Sequence, residues 1–203
     1  LKTSDIYTVG EIGTAEAASL RALHDIIREN RSGNFITCGF DILQCAQDYI
    51  NGLIVNFQGK PNVLKMSDLA QINQLKLNEM YLFLLENPQE FIKEFPLSFD
   101  LVFIDACHCY DHSLQDFLCI EKKVKKGGFC AFHDIGIQEQ GTDLQHKDRY
   151  NLDQYINVRK MAQDLGLFDN KREGWKFVAE IPGSRVTKTG TQDGNSMMVV
   201  QKL

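Results

Sequence analysis

The stretch whose reading decides the fold is Phe99–Ile135, FDLVFIDACHCYDHSLQDFLCIEKKVKKGGFCAFHDI. It opens on Phe99–Ile104, a run dense in bulky apolar residues, and that run ends on Asp105. It closes on a second such run, Phe129–Phe132, which ends on His133-Asp134. The amphipathic segment in between closes over Cys119–Val124 and is broken by Gly127-Gly128. Short, near-continuous apolar runs on either side of a helical pattern suit parallel strands buried on both faces. Sheets of that kind bind ligands beyond the carboxyl ends of their strands. Spacing alone therefore delivers Asp105, His108, His133 and Asp134 to one rim, which becomes the candidate site.

Outward from this block the same alternation continues. Ile6–Ile12 reads as a first strand, and Gly13 ends it. Ala15–Asn30 reads as a helix burying Ala18, Leu20, Leu23, Ile26 and Ile27. Phe35–Phe40 is a second strand ending on Asp41, Ile42–Phe57 a second helix, and Asn62–Met66 a third strand followed by Ser67-Asp68. Leu69–Phe95 carries helical periodicity, punctuated by Pro88 and Pro96, over a length that suggests more than one helix. Gly136–Tyr150 is polar and aperiodic, the composition of a loop over the strand rim. Leu152–Leu167 reads as a helix. Trp175–Ile181 and Ser196–Lys202 read as two last strands pairing antiparallel through a Gly/Thr/Ser-rich loop. The expected fold is α/β: three layers around a mostly parallel, seven-stranded sheet with a terminal antiparallel hairpin, in one domain over residues 1–203.

The chain has 203 residues and a net charge of -5, which argues against a nucleic-acid backbone as the main partner. Lys122, Lys123, Lys125 and Lys126 form a basic cluster that reads as a solvated helix end. No run approaches the length of a membrane span, and LKTSDIYT is not a secretory signal. The missing initiator Met reads as a chain trimmed at its start. The six cysteines follow no disulfide-scaffold spacing, so reduced thiols in a cytoplasmic protein are expected. Homo-oligomerisation is left open.

Chemistry gathers at the strand ends. Gly13 lets a cofactor approach the backbone where the next helix offers free N–H groups. The dinucleotide fingerprint G-x-G-x-x-G is absent there. Asp41 has two readings: a carboxylate for both hydroxyls of a ribose, or a helix cap. Ser67-Asp68 has the same pair, an adenine contact or a cap. Cys107-His108-Cys109 invites a zinc reading, with Asp105, His112 and His133 as further donors, but no second pair stands at finger-like spacing. Trp175 and the Phe-rich runs read as core; Tyr110 is a candidate pocket wall.

Taken together, Glu11, Gly13 and Ser19 in the first turn, Asp41 ending strand two, Phe99-Asp100 through Asp105, His108 and Tyr110, the Gly127-Gly128 pair, and Phe132-His133-Asp134 form a recognisable set. On these motifs the chain resembles the class I S-adenosylmethionine-dependent methyltransferases, and within them the small-molecule O-methyltransferases. The resemblance spans nearly the whole chain and is most specific over the fourth and fifth strands. Where the family usually has a second glycine, this chain has Ala17. The resemblance implies S-adenosylmethionine as cofactor, held by Glu11, Gly13, Ser19, Asp41, Ser67, Asp68 and Asp105, and a small-molecule substrate. It further implies His108 as catalytic base with Asp105, and a divalent metal such as Mg²⁺ at Asp105 and Asp134. Ile135 falls where that branch has its third ligand, so His133 is the replacement, and imidazole favours Mn²⁺, Fe²⁺ or Zn²⁺. The rival reading is a methyltransferase-like binding module without activity.

Overall fold

The structure is a computed structural model. It describes residues 6–42, 63–65, 75–136, 157–183, 185–186, 192–193 and 196–203. The expected helix over Ile42–Phe57, Ser67-Asp68 and the loop Gly136–Tyr150 lie largely or wholly outside these residues, as does the first part of the helix expected from Leu152. Contacts divide the chain into two compact units, Leu1–Val102 and Phe103–Leu203.

In the first unit, β1 (Tyr7–Ile12), β2 (Phe35–Ile42), β3 (Val63–Lys65) and β4 (Glu79–Leu85) lie in the order β3-β4-β2-β1. All three pairings are parallel, with Tyr7 opposite Phe35, Ile36 opposite Glu79 and Val63 opposite Leu82. Asn78 sits at φ +63°, in the left-handed region Asn tolerates. It joins the starts of two strands: its N–H donates to the Phe35 carbonyl at 2.7 Å, and its side-chain oxygen accepts from the Phe35 N–H at 3.1 Å.

β4 lies inside the stretch expected to be helical. Met-Tyr-Leu-Phe-Leu-Leu is a continuous apolar run, and all six residues are buried. A run that short, bounded by Asn78 and by Asn87-Pro88, satisfies a strand buried on both faces and is too brief for a helix. Its period of two divides the layers. Met80, Leu82 and Leu84 cluster with Ala17 and Leu20 of the α1 end (α1, Ala18–Asn30). Phe83 instead meets Phe91 and Phe95 at 5.2 and 5.4 Å, on and just beyond α2 (Pro88–Glu94). Phe40 stacks on Phe83 at 5.3 Å and meets Phe95 and Phe99 edge-on. β5 (Phe99–Ile104) begins here; Gly10 leaves room for the Phe99 ring, which an added Cβ would approach to 2.9 Å.

The stripe expected on α1 is out of phase. Ala17, Leu20 and His24 are the buried positions, while Ile26 is 57% exposed. His24 takes the inward position because its Nδ1 lies 2.9 Å from the Thr37 hydroxyl, which satisfies a ring nitrogen out of water.

In the second unit, α3 (Tyr110–Ile120) leads to β6 (Val124–His133), followed by α4 (Val158–Asp164), β7 (Trp175–Ile181) and β10 (Met197–Lys202). β10 pairs antiparallel with β6 on one side and with β7 on the other, giving the expected terminal hairpin. β8 (Arg185–Val186) and β9 (Gln192–Asp193) form a small separate antiparallel pair within its loop. The helix stops at Ile120, so Gly127-Gly128 do not end it but lie within β6, and Gly127 takes φ +80°. The lysines read as a helix end therefore occupy a turn and the strand start. Phe117 packs against Phe132 and Trp175 at 5.6 and 5.3 Å.

The elements are those of a Rossmann-like α/β fold, mostly parallel with an antiparallel hairpin at the end. Among the described residues no helix is long and apolar enough to cross a membrane.

Candidate functional site

Each unit carries one group of polar residues at its strand ends. In the first, β1 ends in a turn in which Gly13, Ala15 and Ala17 all have positive φ, at 81°, 44° and 62°. Only Gly13 is free of the steric cost of that conformation. Glu11 is fully buried and accepts a hydrogen bond from the Ser19 hydroxyl, which ties the strand to the first turn of α1. The Asp41 carboxylate reaches across: its Oδ2 accepts from the N–H groups of Thr14 and Ala15 at 2.9 and 2.6 Å, and its Oδ1 from the Ile42 N–H at 2.7 Å. Burial raises the Asp41 pKa, and these three N–H groups offset only part of the rise. Asp41 thus shapes the turn after β1, a role that its place in the sequence does not reveal.

Because β4 lies beside β2, with Asp41 opposite Leu84, the residues after β4 share this rim. They are Glu86 and Asn87, and Asn87 caps α2 by accepting from the Glu90 N–H at 3.2 Å. The run Met80–Leu85 was the signal that could have found them. Ser67 and Asp68 lie outside the described residues.

In the second unit Asp105, His108, His133 and Asp134 come together. Asp105 Oδ1 lies 2.8 Å from His133 Nδ1 and 3.1 Å from His108 Nε2. Asp134 approaches both rings, Oδ2 at 3.2 Å from His108 Nδ1 and Oδ1 at 3.3 Å from His133 Nδ1. Burial pushes the Asp105 pKa up, but hydrogen bonds from the two imidazoles and their charge outweigh it and hold the carboxyl below its usual range. Asp134 stands at φ +53°, an uncommon conformation of the kind that gathers at working sites. The loop carrying His108 is fastened at both sides: the Asn157 N–H donates to the His108 carbonyl at 2.9 Å, and the Ser113 hydroxyl to the Cys107 carbonyl at 3.1 Å. Ile135 is fully buried and apolar.

Ligand atoms of Asp105, His108 and His133 lie within 4.8 Å of one another. Two carboxylates and two imidazoles on one small volume fit a divalent cation, and the nitrogen donors favour a transition ion over Mg²⁺. Without a cation, the four side chains are joined by these carboxylate–imidazole contacts alone.

On the same loop, the Cys107 thiol donates to Cys109 Sγ at 3.3 Å. That bond is the main cause lowering the Cys109 pKa to about 6, and it raises the Cys107 pKa. Tyr110 points to Asp164, its hydroxyl donating at 3.0 Å.

The profile of a family described as a methyltransferase domain matches residues 11–135, from Glu11 to the residue after Asp134. No curated protein matches the chain by sequence. Among solved structures, an O-methyltransferase from Bacillus cereus in complex with SAH is similar over 97% of this chain and 74% of its own, at 13% identity and TM-score 0.56. The O-methyltransferase TomG from Streptomyces achromogenes, in complex with SAM, is similar over 96% of this chain and 72% of its own, at 12% identity and TM-score 0.54. An rRNA methylase from Streptococcus thermophilus matches as well, over 98% and 88%, at 8% identity and TM-score 0.57. At such identities the likeness is one of fold.

Proposed function

The chain belongs to this methyltransferase-domain family, and from that premise we propose that it moves the methyl group of S-adenosylmethionine to a hydroxyl of a small molecule. The observation that carries the acceptor chemistry is the convergence of Asp105, His108, His133 and Asp134 at contact distances of 2.8 to 3.3 Å. The transfer is an in-line displacement. The acceptor oxygen loses its proton, bonds to the methyl carbon, and the carbon–sulfur bond breaks with its electron pair going to sulfur. The sulfonium becomes a neutral thioether. The protein must align the oxygen and remove its proton.

His108 is the proposed proton acceptor, through the ring nitrogen that exchanges its carboxylate contact for the acceptor hydroxyl. Asp105 and Asp134 then stabilise the imidazolium that forms, as carboxylates beside a catalytic imidazole do. Asp105, His133 and Asp134 would also hold a divalent ion, which when bound lowers the pKa of a coordinated hydroxyl. The cofactor is proposed to lie at the turn after β1, with Gly13, Glu11 and Ser19 shaping its backbone and Asp41 and the residues after β4 completing the rim.

One observation favours the rival reading, a family member that does not turn over. A carboxylate offers about four acceptor positions, and three backbone N–H groups already use Asp41. Two ribose hydroxyls would have to displace part of that set. Turnover separates the two readings. Labelled S-adenosylmethionine is incubated with a panel of catechols, phenols and aliphatic alcohols, with and without Mn²⁺. Label moving into an acceptor, reduced by a factor of about 100 or more in His108→Ala, supports the proposal. Equal turnover by His108→Ala and wild type removes His108 as the base.

A further inference from the structure

The Cys107, Cys109 and His112 side chains take no part in the chemistry proposed above, yet their ligand atoms lie within 4.8 Å of one another. They belong to one short segment. Cys109 stands at the N-cap of α3, and His112 lies one helical turn on, so the helix itself fixes the spacing of thiol and imidazole. Cys107 precedes the helix, and its carbonyl is anchored by the Ser113 hydroxyl. Intervening His108 has other partners, with its ring nitrogens against Asp105 and Asp134. The segment thus contributes to two donor sets, His108 to the one with Asp105 and His133, and Cys107 and Cys109 to the one with His112.

We propose that Cys107, Cys109 and His112 form a second metal site, taking a zinc-type ion through two thiolates and one imidazole, with the fourth position open to water. Two sulfurs bound tetrahedrally at ~2.3 Å from zinc stand about 3.8 Å apart. The observed sulfur–sulfur distance is 3.3 Å, so a small opening of the pair admits the ion. On binding, the two thiols release one proton each to solvent, and their single S–H···S bond gives way to two metal–sulfur bonds, without any change of oxidation state. Soft sulfur donors select zinc over magnesium or calcium, which separates this site chemically from Asp105, His133 and Asp134. A bound ion would clamp the segment from which His108 projects.

The test uses the full chain, kept reduced, stripped with a chelator and titrated with Co²⁺ alone. The expected result is a thiolate-to-cobalt charge-transfer band in the near ultraviolet, erased by added Zn²⁺. The band should survive His133→Ala, which touches only the other donor set, and be lost in Cys107→Ser and Cys109→Ser. A second reading needs no variant: Zn²⁺ should slow alkylation of Cys107 and Cys109 about tenfold or more, measured peptide by peptide. Absence of the charge-transfer band, its persistence in the doubly substituted chain, or alkylation at the same rate with and without Zn²⁺ would overturn the proposal.

Discussion

At the scale of single residues, burial decides more than charge. His24 is held neutral against Phe35, and burial lowers its pKa below the ordinary value near 6.5. The unfolded chain takes up its proton first as pH falls. The contribution of His24 is therefore complete above about pH 6.5 and lost as pH drops below it, at no more than ~1.4 kcal/mol per pH unit. His24→Gln should be less stable than wild type at about pH 8, and the gap should narrow toward about pH 5. Urea unfolding at the two pH values measures it; a gap that does not change with pH contradicts the assignment. Ala17 is a balance of a different sort. Its left-handed backbone costs roughly 1–2 kcal/mol, while its methyl group, buried against Leu20 and Met80, is worth about 0.8. Glycine also loses about 0.5–1 kcal/mol more chain entropy on folding. Ala17→Gly should thus shift stability by no more than about 1 kcal/mol in thermal unfolding. The departure from the family's glycine is close to neutral for the fold.

At the scale of elements, the strand ends were legible and one strand was not. Asp105, His133 and Asp134 could be placed because each follows a short apolar run set off by turn or helical signals on either side. Met80–Leu85 has the same signature, but helical spacing on both sides of it masks the run, and a short apolar run carries no period of its own. The phase of α1 failed for a related reason: a buried His24 satisfied by Thr37 looks polar in sequence, and Ile26 looks buried. Two of the three partners of Asp41 were not legible, because those backbone donors lie 26 and 27 positions away. β4 depends on its first turn. Asn78→Val would put a β-branched residue at φ +63° and remove the acceptor for the Phe35 N–H, at a cost of about 2–4 kcal/mol. Asn78→Gly relieves the backbone and loses only the hydrogen bond, about 1 kcal/mol. Equal losses by chemical denaturation would mean that the left-handed turn is not what matters.

At the scale of the molecule, one corner of the second unit gathers distant parts of its chain. There Arg172 grips Glu121 through both carboxylate oxygens at 2.8 Å, and the Trp175 indole donates to Oε1 at 3.2 Å. Lys202 donates to the carbonyls of Glu121 and Val124 at 2.7 and 3.0 Å, drawing β10 to the same corner. These groups are partly exposed, so solvent screening reduces their worth. Glu121→Ala should cost about 1–2 kcal/mol, with the loss seen as earlier thermal unfolding; no change would make the corner ornamental. The first unit is proposed to bind the cofactor, in a fold that serves methyl transfer. The most direct measurement is a calorimetric titration of the full chain with S-adenosylhomocysteine, the product of transfer, beside the same titration of Asp41→Ala. The wild type should bind saturably and one to one, and the variant, whose turn after β1 has lost its carboxylate, at least about tenfold more weakly. A wild-type chain that folds normally and takes up no S-adenosylhomocysteine would contradict that proposal.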